Sequence, residues 1–162
     1  MPLDEDSQHL LAILTPEDSL PMHQVDIHVL RDAMESRFPD RERESIASVE
    51  DRAVAGPRGD VPVRVYRPEL KDTPPVLVYF HGGGWVLGSL ETHDAICRAL
   101  ANAARCVVIA VDYRLAPEHP FPHGLQDCQA VVRWVQESSV ELGLDGERVA
   151  VGGDSAGGNL AA

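Results

Sequence analysis

Three short apolar runs that do not alternate, Val76–Phe80, Val107–Val111 and 149–152, constrain the fold of this chain more than any other feature. A strand with one face in water alternates polar and apolar residues, because successive side chains point to opposite sides. A run that is apolar throughout is buried on both faces, the condition of a parallel sheet held between layers of helix. The segments between the runs step by three and four instead. Ile96, Leu100 and Ala103 define one helical face, with Thr92 as its candidate N-cap. Leu125, Cys128, Val132, Val135, Ser139 and Leu142 define a second, ended by Gly143. The alternation strand, helix, strand, helix, strand predicts an α/β fold with a mostly parallel sheet and right-handed crossovers.

Upstream, 45–54 is a weaker strand candidate and 61–67 a better one. In the latter Val63 and Val65 share one face, and Arg64 and Tyr66 the other. Its Pro62 and its alternation place it near the sheet edge. The first 45 residues read differently. Leu10, Leu11, Ile13 and Leu14 cluster before Thr15-Pro16. Leu30, Ala33, Met34, Arg37 and Phe38 then repeat at three and four before Pro39. The expected organisation is a helical cap segment over 1–45 attached to an α/β unit over 46–162, with no internal repeat.

Directly after the strand 149–152 comes Gly153-Asp154-Ser155-Ala156-Gly157, leading into Gly158-Asn159-Leu160. G-x-S-x-G has chemical meaning when a strand precedes it and a helix follows, because the sharp turn lifts the serine hydroxyl above the sheet. The turn holds the serine in a strained conformation, and glycines on either side leave room for it. By itself the pattern also fits a tightly packed turn with no other role. A second motif argues against that. Strand Val76–Phe80 ends in His81-Gly82-Gly83-Gly84-Trp85. Consecutive glycines beyond a buried strand expose backbone N–H groups that no side chain shields, and such preorganised donors stabilise a developing oxyanion. Neither glycine stretch matches a phosphate-binding loop, and no lysine or arginine flanks Gly82, Gly83 or Gly84.

Composition narrows the partners. Twenty-six acidic residues against fourteen basic ones give a net charge of −12, a surface that repels nucleic acid and anionic lipid. No apolar run approaches the roughly 20 residues that span a bilayer. The acidic N-terminus lacks the basic-then-apolar pattern of a signal peptide, so the cytoplasm is the location expected by default. Cys97, Cys106 and Cys128 follow no ligand spacing and read as buried thiols on a helix, a strand and a helix, with no metal site.

Together His81-Gly82-Gly83-Gly84-Trp85, Asp112-Tyr113-Arg114-Leu115-Ala116-Pro117-Glu118 and the Gly152–Asn159 stretch resemble the hormone-sensitive-lipase family of α/β-hydrolases, its bacterial carboxylesterases above all. The likeness runs from about residue 60 onward. It implies Ser155 as nucleophile, with an oxyanion hole made by the N–H groups of Gly83, Gly84 and Ala156, joined by Gly82. His81 would brace the glycine loop and Asp154 the elbow. Trp85 suits a pocket wall and core packing equally, and 112–118 would form a structural loop near the site. The implied substrate is a small or short-chain acyl ester, cleaved through an acyl-serine without metal or organic cofactor. The alternative is a non-catalytic binding module, since the family also resembles the plant gibberellin receptors. Oligomeric state is not legible.

One expectation concerns what the chain lacks. In this fold the triad runs serine, acid, histidine. Only seven residues follow Ser155, none of them Asp, Glu or His, and all seven histidines (His9, His23, His28, His81, His93, His119, His123) precede it. The sequence is therefore expected to be the front portion of a longer hydrolase, inactive when isolated.

Overall fold

Valine recurs in every strand, as suits a pleated surface that favours branched side chains. The computed structural model describes residues 3–14, 20–21, 24–36 and 43–162. In chain order its elements are α1 (Glu5–Leu14), α2 (Ile27–Ser36), β1 (Ser48–Gly56), β2 (Gly59–Arg67), β3 (Val76–Phe80), α3 (Leu90–Ala104), β4 (Val107–Val111), α4 (His123–Ser138), β5 (Val149–Gly153) and α5 (Ala156–Ala161). The strands form one sheet in the order β1-β2-β4-β3-β5. The β1–β2 and β2–β4 pairs are antiparallel, and β3 runs parallel to β4 on one side and to β5 on the other.

Side-chain alternation along each strand divides the core in two. Val63 and Val65, Val76, Val78 and Phe80, and Val107, Ile109 and Val111 face α4, where Cys128, Val131 and Val135 meet them. Tyr66, Tyr79, Val108 and Ala110 face the other way, against Cys97 and Ala101 of α3. Both faces of the central strands are thus covered by helices, as the sequence reading expects of an α/β fold.

Several local expectations need correction. Ser89, not Thr92, caps α3. Its side chain accepts from the Thr92 backbone N–H while the Thr92 hydroxyl accepts from the Ser89 N–H, a capping box with Thr92 at its third position. Ala103 is exposed, because the buried stripe runs through Asp94, Cys97 and Ala101, with Ile96 and Leu100 at its flank. On α4 the fully buried valines are Val131 and Val135, with Val132 only partly covered. β2 lies near the sheet edge as expected, one strand in, and Tyr66 on its second face is buried by α3. β5 differs from its two apolar counterparts: among the described residues it pairs with β3 alone, and its Ala150 and Val151 are exposed.

In the N-terminal segment, Leu30 and Met34 of α2 are half-buried and Ala33 is exposed. The side chains of Leu10, Ile13 and Leu14, and residues Thr15, Pro16, Arg37, Phe38 and Pro39, lie outside the described residues. Cys97, Cys106 and Cys128 are free and buried, Cys106 just ahead of β4. No described helix is long and apolar enough to cross a membrane.

Candidate active site

Strand register decides where the motifs meet. Phe80, the last residue of β3, lies opposite Val111 of β4 and Gly153 of β5. The three parallel strands therefore end level, and His81, Asp112 and Asp154 leave the sheet side by side. The carboxyl ends of such strands are where α/β sheets bind their ligands.

Ser155 sits at the tip of the β5–α5 turn with φ 49° and ψ −116°. A non-glycine residue at positive φ costs roughly 1–3 kcal/mol and persists only where its surroundings over-determine it. Here the turn is fixed from both sides. The N–H groups of Gly157 and Gly158 donate to Asp154 O at 2.8 and 3.3 Å, and that of Asn159 to Ser155 O at 3.1 Å. Gly153 and Gly157 lie against the end of β3 so closely that a Cβ on either would run into Phe80 O. The requirement at these two glycines is space. Ser155 is exposed, and its hydroxyl bonds to none of the described residues.

The glycine loop is the facing wall. Gly83, Gly84 and Trp85 take three successive positive φ values, 124°, 61° and 62°. Val86 N and Leu87 N close the turn on Gly83 O at 3.2 and 2.8 Å. Gly82 donates its N–H to Asp154 Oδ1 at 2.9 Å, and a Cβ there would overlap the Asp154 carboxylate. Of the four backbone donors expected from the sequence, this one is already taken. Among the described residues none accepts from the N–H groups of Gly83, Gly84 or Ala156.

Asp154 ties the two walls together. Besides Gly82 it accepts from the Tyr79 hydroxyl at 2.8 Å, and His93 Nε2 lies 3.3 Å from the same oxygen. Burial works to raise its pKa, but the Tyr79 hydrogen bond, His93 and the Gly82 amide outweigh it and hold the carboxyl below the usual aspartate value. His81 is buried, its ring stacked on Tyr113 with centroids 4.4 Å apart. Desolvation pushes its pKa down to about 4, against the opposing pull of the Gly82 carbonyl. Its Nδ1 lies 2.8 Å from Gly82 O, an atom that can only accept, so Nδ1 carries the proton. Nε2 is then a bare acceptor and has no partner among the described residues. Tyr113 donates its hydroxyl to His81 O at 2.7 Å. The loop 112–118 is anchored by Arg114, whose backbone N–H and guanidinium both donate to the fully buried Asp127.

Sequence reasoning singled out neither Tyr79 nor His93. His93 is one of seven histidines, and its only signal is a place beside Asp94 and Cys97 on the buried stripe of α3. Trp85, half exposed, lines a cavity of about 980 Å³ with Gly84, Tyr113, Phe121, Val132, Val151 and Leu160. No cluster of metal-ligating side chains occurs among the described residues.

Residues 77–162 match the family described as alpha/beta hydrolase fold. The chain belongs to that family, in its hormone-sensitive-lipase-like branch. Carboxylesterase NlhH of Mycobacterium tuberculosis is 59% identical over 104 residues, covering 64% of this chain and 33% of that protein. An arylesterase of Saccharolobus solfataricus is 34% identical over 163 residues, covering all of this chain and 53% of its own length. The solved structure of a hyperthermophilic esterase from Pyrobaculum calidifontis superposes with a TM-score of 0.87 at 42% identity, over 99% of this chain and 52% of that one. The chain thus spans between a third and about half of the length of these relatives.

Proposed function

We propose that the protein containing these residues hydrolyses small or short-chain carboxylic esters through an acyl-serine formed on Ser155. The observation that carries this reading is Ser155 itself, held at positive φ with a free, exposed hydroxyl. Its strand ends level with β3, which leads into the loop whose Gly83 and Gly84 amides have no acceptor among the described residues. Esterases among the relatives support it.

In the proposed reaction Ser155 Oγ attacks the ester carbonyl and gives its proton to a base. The carbonyl oxygen becomes an oxyanion that accepts from the N–H groups of Gly83, Gly84 and Ala156. Collapse expels the alcohol, which takes the proton, and water then releases the acid from Ser155 by the same route in reverse. Gly82 contributes through Asp154 rather than through the oxyanion. The base and its orienting carboxylate, which in this fold follow the serine, are assigned to sequence beyond residue 162. The share of the relatives' length that the chain spans supports this.

The test uses the protein extended by the sequence that follows in its gene. A fluorophosphonate should label Ser155, located by mass spectrometry, and Ser155→Ala should remove both the label and p-nitrophenyl butyrate turnover. Gly83→Ala should lower kcat by roughly 10²–10³, because its Cβ would strike Leu87 O and displace a donor. Label on another residue would end the proposal. An extended protein that holds an ester analogue without reacting would favour the binding module.

A further inference from the structure

We infer that Arg31, on the N-terminal helix α2, is a positioning residue for the glycine loop that supplies the oxyanion donors. The inference rests on the esterase reading for its catalytic consequence, but not for the contact itself. Arg31 makes four hydrogen bonds to two segments distant in sequence. Its Nε donates to Val86 O at 2.9 Å and one terminal nitrogen to Ala116 O at 3.0 Å. Both terminal nitrogens hold the Glu118 carboxylate, at 2.7 and 2.8 Å. Planar, bidentate donation of this kind fixes direction as well as distance.

Those acceptors sit where the loop needs support. Val86 follows the three residues at positive φ, and its own N–H closes the turn on Gly83 O. Ala116 N donates to Trp85 O at 2.9 Å, so the loop 112–118 already grips the residue next to Val86. Arg31 joins both strands of that grip to α2. A run of left-handed residues keeps its shape only when neighbours over-determine it. Without Arg31, Val86 O loses its only side-chain donor among the described residues, and the Gly83 and Gly84 amides lose one of the restraints on their direction.

The experiment uses the extended protein with Arg31→Met, Arg31→Lys and Glu118→Gln. Arg31→Met should lower kcat for p-nitrophenyl butyrate by roughly tenfold to a hundredfold, as small displacements of catalytic groups do. KM should barely change, since ground-state binding does not use the oxyanion donors. A trifluoromethyl ketone, which forms the tetrahedral adduct, should lose affinity by the same factor as kcat/KM. Arg31→Lys, a single point donor, should rescue only part, and Glu118→Gln, which leaves both carbonyl contacts, should lose less than Arg31→Met. Unchanged kcat, or a loss confined to KM, would overturn the inference. If Arg31→Met does not fold, the other two variants decide by the same readings. Amide hydrogen exchange over 82–87 tests the contact without catalysis. Faster exchange in the variants supports the clasp, and equal exchange refutes it. A wild-type protein inert to fluorophosphonate, with faster exchange in the variants, would sink the esterase reading and leave the clasp standing.

Discussion

His81 is a histidine that the fold keeps neutral. Buried against Tyr113 and with no partner at Nε2 among the described residues, it holds a proton less readily than the same side chain in the unfolded protein. With a folded pKa of about 4 and an unfolded one near 6.5, the unfolded chain binds the extra proton between those values. The stability due to neutral His81 is therefore complete above about pH 6.5 and drains away as the pH falls through 4, by on the order of 3 kcal/mol. Thermal unfolding of the extended protein followed from pH 7 to pH 4 should show the midpoint falling. The fall should be shallower in His81→Gln, which cannot charge. Parallel profiles for the two would refute the assignment. Asp154 contributes a separate, more acidic loss, since its carboxyl is held below the ordinary value and gives up its stabilisation only as the pH falls through that lower value.

At the scale of elements, the β5–α5 elbow was the part most open to sequence reading, and the reason is local. A strand, two glycines that must leave space and a serine between them lie within a few consecutive residues. The glycine loop was legible for the same reason. What escaped was the tie between them: Asp154 meets Gly82, Tyr79 and His93 across about sixty to seventy-five positions of sequence, and no periodicity encodes such a meeting. The capping of α3 was missed by three residues, because Ser89 and Thr92 are both competent caps and only the backbone at Ser89, extended at φ −157°, decides between them. Two adjacent glycines give the elbow a sharp test. In Gly157→Ala the new Cβ meets backbone at Phe80 and His81 that cannot yield, and stability should drop by about 3 kcal/mol or more. In Gly158→Ala the nearest atom is Gly153 O at 3.2 Å, and the gain of alanine in a helix should keep the change within about 1 kcal/mol. Urea unfolding of both variants measures the contrast, and equal losses would show that the elbow is looser than its contacts suggest.

At the scale of residues 1–162, β5 pairs with β3 and its other flank meets none of the described strands. Val151 and Ala150 are exposed on a strand that pairs on one side only, and unpaired strand edges recruit other chains. Purified alone, residues 1–162 should self-associate in light scattering and turn over p-nitrophenyl butyrate no faster than background. A monodisperse monomer with one sharp unfolding transition would count against this, and turnover lost on Ser155→Ala would force a search for a base among the upstream histidines. The central place of β3 has a different consequence, one that concerns the chain while it is being made. Both strands that flank β3 lie later in the sequence, β4 at Val107–Val111 and β5 at Val149–Gly153. Leaving the ribosome at roughly 5–20 residues per second, Val76–Phe80 waits seconds for its first neighbour. That short apolar run is the kind of segment that adheres to other nascent chains. It is bracketed by Pro74-Pro75 before it and by three glycines from Gly82 after it, residues that resist extending a borrowed sheet in either direction. The glycines that shape the mouth of the site also limit how far a growing chain can stick.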